Sequence, residues 1–433
     1  MSDQSAKELT LKDLQDAVAF AAAFRSRRRL QPAGGEGDKV FPPTFAGAVY
    51  AIEQRRIPGC AESVHCVLLD SVQSQANRME QALQDAVDAK MLSIPLIEVD
   101  FTKHDPTGDL EADRGAGRLV DAVGKVTSLQ VPHRLADAIL RDSDVEEERD
   151  GKSERIAFRK SEIGRALNTV SLANATPLFE LCPTALIFGM WDSTGPKGGL
   201  GPKFERAIVS EIVGVGVEVG DLRRGVRRDP LEVRAAVKVA KAADRSWSLA
   251  AGSRGAVSPS EVNHSSVPFP KQRGEKTDDN YYDGATIEYA EQTTTLSLIC
   301  LRRLCFPIDG KSNIEADSAA RVVLATLGLC GAALAFEAGL GLRSRCLLWP
   351  DGPMEWELLE KPGTPPKRFS LTGEQAVALL TKAVDAAKKL KLPWREEPLL
   401  LKPSVGKGRT ENLVELVRLS QLEATKEGPD QES

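Results

Sequence analysis

Residues 68–80 (LLDSVQSQANRME) place polar side chains directly after an apolar run. The hydrogen-bonding residues of this segment are Gln73, Ser74, Gln75, Asn77 and Arg78. Amides and a guanidinium at the point where a strand passes into a helix can contact phosphates, sugars or base edges. The segment therefore predicts a binding edge for a polymer. The alternative is a capped helix start, with Ser71 and Ser74 as caps and the amides in solvent.

A second segment, residues 184–213, combines an apolar run with a basic, glycine-rich stretch at 195–203. Its candidate phosphate-contacting residues are Lys197, Gly198, Gly199, Lys203 and Arg206. Glycines let backbone N–H groups approach phosphates, and the lysines supply charge. Neither the P-loop pattern nor the dinucleotide pattern fits in any register, which argues against NTP hydrolysis. The alternative is a flexible surface turn.

Basic residues cluster although the formal net charge of the chain is −5. One cluster comprises Arg25, Arg27, Arg28 and Arg29, and a second lies within residues 223–245. Lys271 and Arg273 belong to a polar stretch further along the chain. Because distant charge is screened within about 10 Å, an acidic protein can carry a local basic groove. The alternative is that each cluster is a solvated face.

Candidates for catalysis and for metal binding are weak. Cys60, His65 and Cys66 are close, but a second ligand pair that would complete a zinc site is missing. Asp70 and Asp192 follow apolar runs, where an acid could act, yet each is equally well explained as a turn former. We predict no catalytic residue, no metal and no cofactor, and RNA cleavage by such a carboxylate stays the alternative.

The elements that must position these residues indicate an α+β fold, in which strands, hairpins and helices interleave. Helices are predicted over residues 9–25, 74–90, 132–140, 314–336 and 372–390, and strands over 65–69, 94–101, 184–191, 285–289 and 293–306. Residues 345–349 and 355–359 are predicted to form a hairpin, 142–152 an exposed linker, and 204–219 fits either a helix or a strand.

We expect one unit over residues 1–433, with a polar insertion at about 253–284 and a flexible tail at 423–433. The first ten residues do not form a secretory signal, and the longest apolar stretch, residues 319–342, is broken by glycines and charges. Seven scattered cysteines favour a reducing compartment, so we expect a cytoplasmic protein that does not bind membranes.

Three stretches together resemble one known family: residues 40–45 (VFPPTF), residues 68–80 and residues 184–201. The chain is similar over roughly its whole length to the RAMP-superfamily backbone subunit, of the Cas-seven type, in type I-G (formerly I-U) CRISPR-Cas surveillance (Cascade) complexes. The resemblance implies a modified RRM (ferredoxin-like) palm with finger-like and thumb-like insertions, and the polar insertion is a candidate for one of these.

The resemblance also implies partners and a role. Such subunits bind the guide RNA (crRNA) without catalysis, form a helical filament of copies along its spacer, and present it to target DNA. The other expected partners are the large subunit and a Cas-five/Cas-six type fusion subunit of the effector complex. The aromatic RNP motif of ordinary RRM proteins is missing from the sequence, so base stacking of that kind is not expected.

Two other functions remain open from the residues themselves. One is a metal-dependent RNA endonuclease of the RAMP class, and the other is a scaffold that binds only protein. Cleavage of complementary RNA with Mg²⁺ would indicate the first. A preparation free of nucleic acid would indicate the second.

Overall fold

The computed structural model describes residues 6–46, 49–149, 151–193, 201–219, 238–241, 246–249, 284–405 and 412–425. The helices are α1 (Leu11–Phe20), α2 (Val72–Asp88), α3 (Leu110–Gly115), α4 (Ala138–Arg141), α5 (Glu162–Ala166), α6 (Thr176–Leu181), α7 (Thr184–Phe188), α8 (Leu298–Arg302), α9 (Ile314–Glu337), α10 (Gly373–Lys389) and α11 (Leu413–Thr425).

The strands up to the middle of the chain are β1 (Lys7–Glu8), β2 (Ala23–Pro32), β3 (Thr44–Phe45), β4 (Val49–Tyr50), β5 (Ile52–Arg56), β6 (Ser63–Asp70), β7 (Ile97–Asp100), β8 (Lys125–Thr127), β9 (Ser143–Arg149), β10 (Lys152–Ala157), β11 (Met190–Trp191) and β12 (Lys203–Phe204). The later strands are β13 (Ile208–Val215), β14 (Glu218–Val219), β15 (Val239–Lys241), β16 (Trp247–Leu249), β17 (Ala285–Thr286), β18 (Tyr289–Ser297), β19 (Leu340–Arg343), β20 (Cys346–Pro350), β21 (Glu355–Leu359), β22 (Lys367–Ser370) and β23 (Leu399–Pro403). This mixture of helices and sheets confirms the predicted α+β class.

The largest sheet has the strand order β1-β22-β21-β2-β18-β13-β6-β5, and β20 joins the edge of β2 beyond the end of β21. Its central strands β2, β18, β13 and β6 are antiparallel to their neighbours. Since β2 spans residues 23–32, it contacts both β21 and β20 along one edge and β18 along the other.

Alternating burial separates the two faces of this sheet. On β2 the side chains of Phe24, Ser26, Arg28 and Leu30 are buried toward the helices, where α1, α2, α9 and α10 pack into one core. The intervening side chains point to the other side. We call that side the open face and define it by Arg25, Arg27, Arg29 and Gln31 of β2 and their register partners on β18.

Helix α9 is apolar around nearly its whole circumference, which is the pattern of a fully buried helix. It is long and apolar enough to cross a membrane by length and composition, a property that the broken stretch at 319–342 did not predict. Most of its apolar window is nevertheless buried inside the protein, as in the core helix of a soluble protein. Gly331 of α9 faces α2, and a Cβ there would be in ordinary van der Waals contact with Leu83 Cδ1 at 3.4 Å.

A second, smaller sheet has the order β10-β9-β23-β7-β8. Its hairpin β9–β10 pairs Arg149 with Lys152, so residues 143–149 form a strand and the exposed linker predicted over 142–152 is wrong. Ser143, Asp144 and Val145 at the start of β9 are buried, whereas Glu146 and Glu148 are exposed. This partial burial lets a run that looks polar in sequence form a strand.

Several other predicted elements hold. The helices predicted at 74–90, 314–336 and 372–390 exist as α2, α9 and α10, and Thr372 caps α10 with a capping box. Helix α2 begins two residues earlier than predicted, because its cap is Ser71, whose side chain accepts from the backbone N–H of Ser74. The ambiguous stretch at 204–219 is a strand, β13.

Other predictions are wrong at the tertiary level. Residues 184–188 form the buried helix α7 and not a central strand, since a short apolar run alone does not distinguish the two. The helix predicted to run to residue 25 ends at Phe20, and the helix predicted from residue 132 is a 3₁₀ turn (Arg134–Ala136) followed by α4. The strand predicted over 293–306 gives way to α8 after Ser297.

The predicted hairpin of residues 345–359 does not form. Strands β20 and β21 each pair with β2 and lie one after the other along its edge. Of the predicted insertion, residues 253–283 lie outside the described residues. The predicted tail begins within α11, and residues 426–433 are likewise outside the described part of the chain.

We predict that Leu83→Ala lowers the free energy of unfolding by about 3 kcal/mol, because it empties a buried site between α2 and α9. Urea unfolding followed by circular dichroism measures this change. Gln81→Ala, on the exposed side of the same helix, is the matched control and is expected to change stability by less than about 0.5 kcal/mol. Equal effects of the two substitutions would show that this helix interface contributes little.

Candidate nucleic-acid interface

Asp70 organises the first predicted binding segment. It ends β6 opposite a β-bulge in the pairing with β13, and its side chain is fully buried. Its carboxylate accepts hydrogen bonds from Ser74 Oγ at 2.8 Å, Gln75 Nε2 at 2.6 Å and Arg78 Nε at 2.9 Å. A buried carboxylate is stable only when cations and donors of this kind surround it.

The same network reaches β19. Arg78 Nη2 donates to the carbonyl of Leu342 at 2.7 Å, and Arg343 Nη2 lies 3.5 Å from Asp70 Oδ1. Two arginines thus face one carboxylate, and both are about 30% exposed, at 31% for Arg78 and 28% for Arg343. The guanidinium of Arg78 therefore joins α2 to β19.

Gln75 continues the network beneath the sheet. Its Oε1 accepts from Ser210 Oγ at 2.9 Å on β13 and from Gln292 Nε2 at 2.8 Å on β18. Ser210 also lies 2.8 Å from Thr294 Oγ1. These polar side chains lie between the helices and the sheet, where each satisfies another.

This geometry corrects part of the sequence interpretation. Gln75 is 3% exposed, so the structure places its side chain inside the protein and not at the predicted binding edge. Ser74 and Arg78 are engaged by Asp70, whereas Gln73 and Asn77 lie on the solvent side of α2. The capped helix start, which was the alternative, describes this segment better.

The arginine cluster lies on a strand and not at the end of a helix. Arg28 points toward the helices and packs over the ring of Phe336 at 4.1 Å. Burial lowers the pKa of Arg28 to about 10. Arg28 as a whole is 9% exposed, so the structure places it away from the open face on which the other arginines of β2 lie.

The other arginines of β2 project from the open face, and two of them are already paired. Arg25 forms an ion pair with Glu357 at 2.7 Å, and Arg27 forms one with Glu291 at 2.8 Å. A paired arginine offers little net charge to a polyanion, because the adjacent carboxylate repels the same phosphate. The clustering of basic residues in sequence therefore overstates the positive charge of this face.

The second predicted segment builds a different surface. Strands β11 and β12 form a short hairpin in which Trp191 pairs with Lys203. Asp192 fixes the base of this hairpin, since its N–H donates to the carbonyl of Pro202 at 3.0 Å and its carboxylate pairs with Arg159 at 2.8 Å. Lys197, Gly198 and Gly199 lie between these ends, outside the described residues, as do Lys271 and Arg273.

A groove of about 660 Å³ lies beside this hairpin. We call it the Trp191 groove and define it by His133, Arg134, Arg141, Trp191, Lys203 and Arg206. Only Lys203 and Arg206 were predicted from sequence. The other four come from segments distant in the chain or carry no local signal, so only the fold brings them together.

Two basic side chains of the groove are held by carboxylates. Arg134 binds Glu80 through two hydrogen bonds of 2.7 Å and also donates to the carbonyl of Gly189. Burial raises the pKa of Glu80, and Arg134 offsets part of this effect. Arg141 pairs with Asp142 at 2.9 Å. These arginines shape the wall more than they add net charge.

The remaining basic side chains are available. Arg206 is exposed and makes no ion pair with any residue that the structure describes. Its neighbour Glu205 forms an ion pair with Arg303 at 2.5 Å. Lys203 lies over the ring of Trp191, 5.2 Å from its centroid, and Trp191 is 52% exposed. The groove thus combines an aromatic face with two uncompensated cations, which suits the phosphates and bases of a single strand.

The carboxylates considered for catalysis are both engaged. Asp70 is fully buried and Asp192 is 4% exposed, each against arginine. Neither can contact a substrate in this conformation. Within the described residues, no group of three or more His, Cys, Asp or Glu side chains is arranged to hold a metal ion.

A comparison with known protein families matches the part of the chain that contains the Trp191 groove. Residues 24–219 match the family model described as CRISPR-associated protein GSU0053. The matched part runs from β2 to β14 and contains the Trp191 groove and the part of the Asp70 network that lies on β6, α2 and β13. The match indicates a CRISPR-associated protein family, and this family suggests a role in CRISPR-Cas defence. A comparison with curated proteins found no match.

We predict that Arg78→Ala lowers the free energy of unfolding by about 3 kcal/mol, since it leaves the buried Asp70 carboxylate short of its closest cation. The affinity of the folded variant for single-stranded RNA is expected to stay at the wild-type value. Chemical denaturation and fluorescence anisotropy measure the two quantities, and Asn77→Ala, one residue away and exposed, is the control. A stable Arg78→Ala protein with reduced RNA affinity would instead place Arg78 at the ligand.

Proposed function

We propose that this protein is a non-catalytic guide-RNA binding subunit and that the Trp191 groove holds the RNA. The observation that carries the proposal is the groove itself, in which an exposed tryptophan lies beside two cations without a carboxylate partner among the described residues. Phosphates respond to such charge, and any base can stack on an aromatic ring.

The chemistry of the groove favours binding that is independent of sequence. Its available groups are a lysine, an arginine and an indole, and neither a cation on a phosphate nor a base stacked on an indole distinguishes one base from another. A guide RNA has to be held in this way, since its sequence differs from one guide to another and base pairing performs the recognition. The family match supports the same conclusion, because it points to CRISPR-Cas defence.

The strand order supports the finer proposal of an RRM-like palm. Along the chain, β2, α2, β13, β18, α9 and β21 follow as strand-helix-strand-strand-helix-strand. In the sheet the order is β21-β2-β18-β13, with β2 and β18 in the centre. Both features are those of a ferredoxin-like unit, here with the β5–β6 hairpin inserted after its first strand.

The remaining parts of the proposal follow the family resemblance. The protein would be the backbone subunit of a type I-G effector complex, polymerise along the spacer of the crRNA, and present it to target DNA. Its protein partners would be further copies of itself, the large subunit and the Cas-five/Cas-six type fusion subunit. The net charge of −5 agrees with a local groove better than with a uniformly basic surface.

We predict that the double substitution Lys203→Gln/Arg206→Gln weakens binding of single-stranded RNA and lowers its salt dependence. The slope of log affinity against log salt should fall by about 1.4, or about 0.7 for each lost phosphate contact. Trp191→Ala should weaken binding by about 5-fold to 100-fold through lost stacking. Fluorescence anisotropy with a labelled oligouridine between about 50 and 300 mM salt, over which the Debye length shortens by about 2.4-fold, measures both.

Arg114→Gln is the matched control, because Arg114 is exposed on α3, away from the groove lining. Expression with a guide transcript extends the test, since the wild-type protein should co-purify with RNA and the double variant should carry less. Wild-type affinity in both groove variants would refute the assignment of the groove as the RNA site. Cleavage of complementary RNA by the purified protein with Mg²⁺ would refute the non-catalytic assignment and favour the endonuclease.

A further inference from the structure

The open face of the large sheet contains a second cleft, of about 440 Å³. It lies between the central strands and the chain that follows β5, and β13 contributes Glu211, Val213 and Val215 to its floor. We call it the arginine cleft and define it by Arg27, Arg29, Arg55, Arg56 and Tyr289. It is separate from the Trp191 groove, with which it shares no lining residue.

The charges of the cleft do not cancel. Arg27 is paired with Glu291 at 2.8 Å, and Arg55 is held by Glu211 at 2.7 Å and by Glu53 at 2.5 Å. Arg29 and Arg56 are exposed, and neither forms an ion pair with a described residue. Two cations at one concave site attract an anion beyond the carboxylates that the described residues supply there.

An aromatic ring lies beside one of these two cations. The guanidinium of Arg29 lies over the ring of Tyr289, 4.2 Å from its centroid. A planar guanidinium stacked on an aromatic ring presents its outer face to a further planar group. The site therefore offers a stacking position and a phosphate position side by side.

A second exposed ring extends this arrangement across the sheet. Trp349 on β20 pairs with Gln31 on β2, so both side chains are on the open face, in the same row as Tyr289 on β18. Trp349 is 71% exposed, the most of any tryptophan that the structure describes. Two strand spacings separate its backbone from that of Tyr289, or about 10 Å.

We infer that the open face is a second binding surface for single-stranded nucleic acid, with bases on Trp349 and on the Arg29–Tyr289 stack and a phosphate in the arginine cleft. Charge complementarity selects this occupant. Two cations of the cleft are uncompensated among the described residues, and aromatic rings lie beside them on β18 and across the sheet on β20. An extended strand of alternating phosphates and bases matches both. An acidic protein would match the charge, but its chain does not carry a planar ring beside every anionic group, as a nucleic-acid strand does.

The two surfaces lie at opposite ends of β13. Arg206 of the Trp191 groove precedes this strand, and Val213 near its end lines the arginine cleft, so about seven residues of extended chain, or about 23 Å, separate them. The inference shares its ligand class with the proposed function, but it concerns residues that can be changed without altering the groove.

The test uses the full chain and labelled 15-nucleotide oligouridine and oligothymidine, each with one photoreactive 5-iodo base. We expect crosslinks at Trp349 or Tyr289, mapped by mass spectrometry. Trp349→Ala should weaken binding by about 5-fold to 30-fold. Arg29→Gln/Arg56→Gln should lower the salt slope by about 1.4. Both are measured in wild type and in the Lys203→Gln/Arg206→Gln background, so that the groove does not conceal the effect.

Phe20→Ala and Arg114→Gln are the controls, since both side chains are exposed elsewhere. Effects with the RNA strand, with the DNA strand or with both support the inference and show which strand the face takes. Unchanged affinity in every open-face variant, together with crosslinks confined to Trp191, overturns it and leaves the groove intact. Crosslinks at Trp349 without any effect of the groove variants would instead overturn the proposed function.

Discussion

The burial of one carboxylate, that of Asp70, constrains much of this fold. Hydrogen bonds join it to α2, and Arg78 and Gln75 extend the contacts to β19, β13 and β18. An unpaired charge at this depth would be costly, so each partner has to be present and correctly placed. The network therefore fixes how α2 sits on the sheet, and α2 in turn supplies Glu80, which holds Arg134 in the wall of the Trp191 groove.

The pairing of charges decides which surface can bind a polyanion. The chain carries 57 basic and 62 acidic side chains, so a basic residue attracts phosphate only where no carboxylate has reached it first. Glu357 and Glu291 neutralise Arg25 and Arg27 on β2, whereas Lys203, Arg206, Arg29 and Arg56 lack such partners among the described residues. Both candidate surfaces follow from this distinction, and each places an aromatic ring, Trp191 or Tyr289, beside these cations.

Strand β13 lies between the two surfaces, and it belongs to the part of the chain that matches a known family. The match covers residues 24–219, which include the Trp191 groove, the arginine-bearing strand β2 and all of β13. Tyr289 and Trp349 lie beyond it, on strands that complete the same sheet. A surface built from both parts depends on the sheet as a whole, because neighbouring strands there come from distant parts of the chain.

Patterns of local origin were readable from the sequence: the α+β class, helices α2, α9 and α10, strand β6, the cap at Thr372, and the presence of Lys203 and Arg206 in a basic, glycine-rich segment. Periodicity, capping and composition involve only residues close together in the chain, so they can be recognised from the sequence without a structure. Only the tertiary structure decided that 184–188 is a helix, that Gln75 and Arg28 are buried, and that carboxylates more than 200 residues away neutralise Arg25 and Arg27. Burial and ion pairing depend on which distant strands become neighbours, and no local spacing encodes that choice.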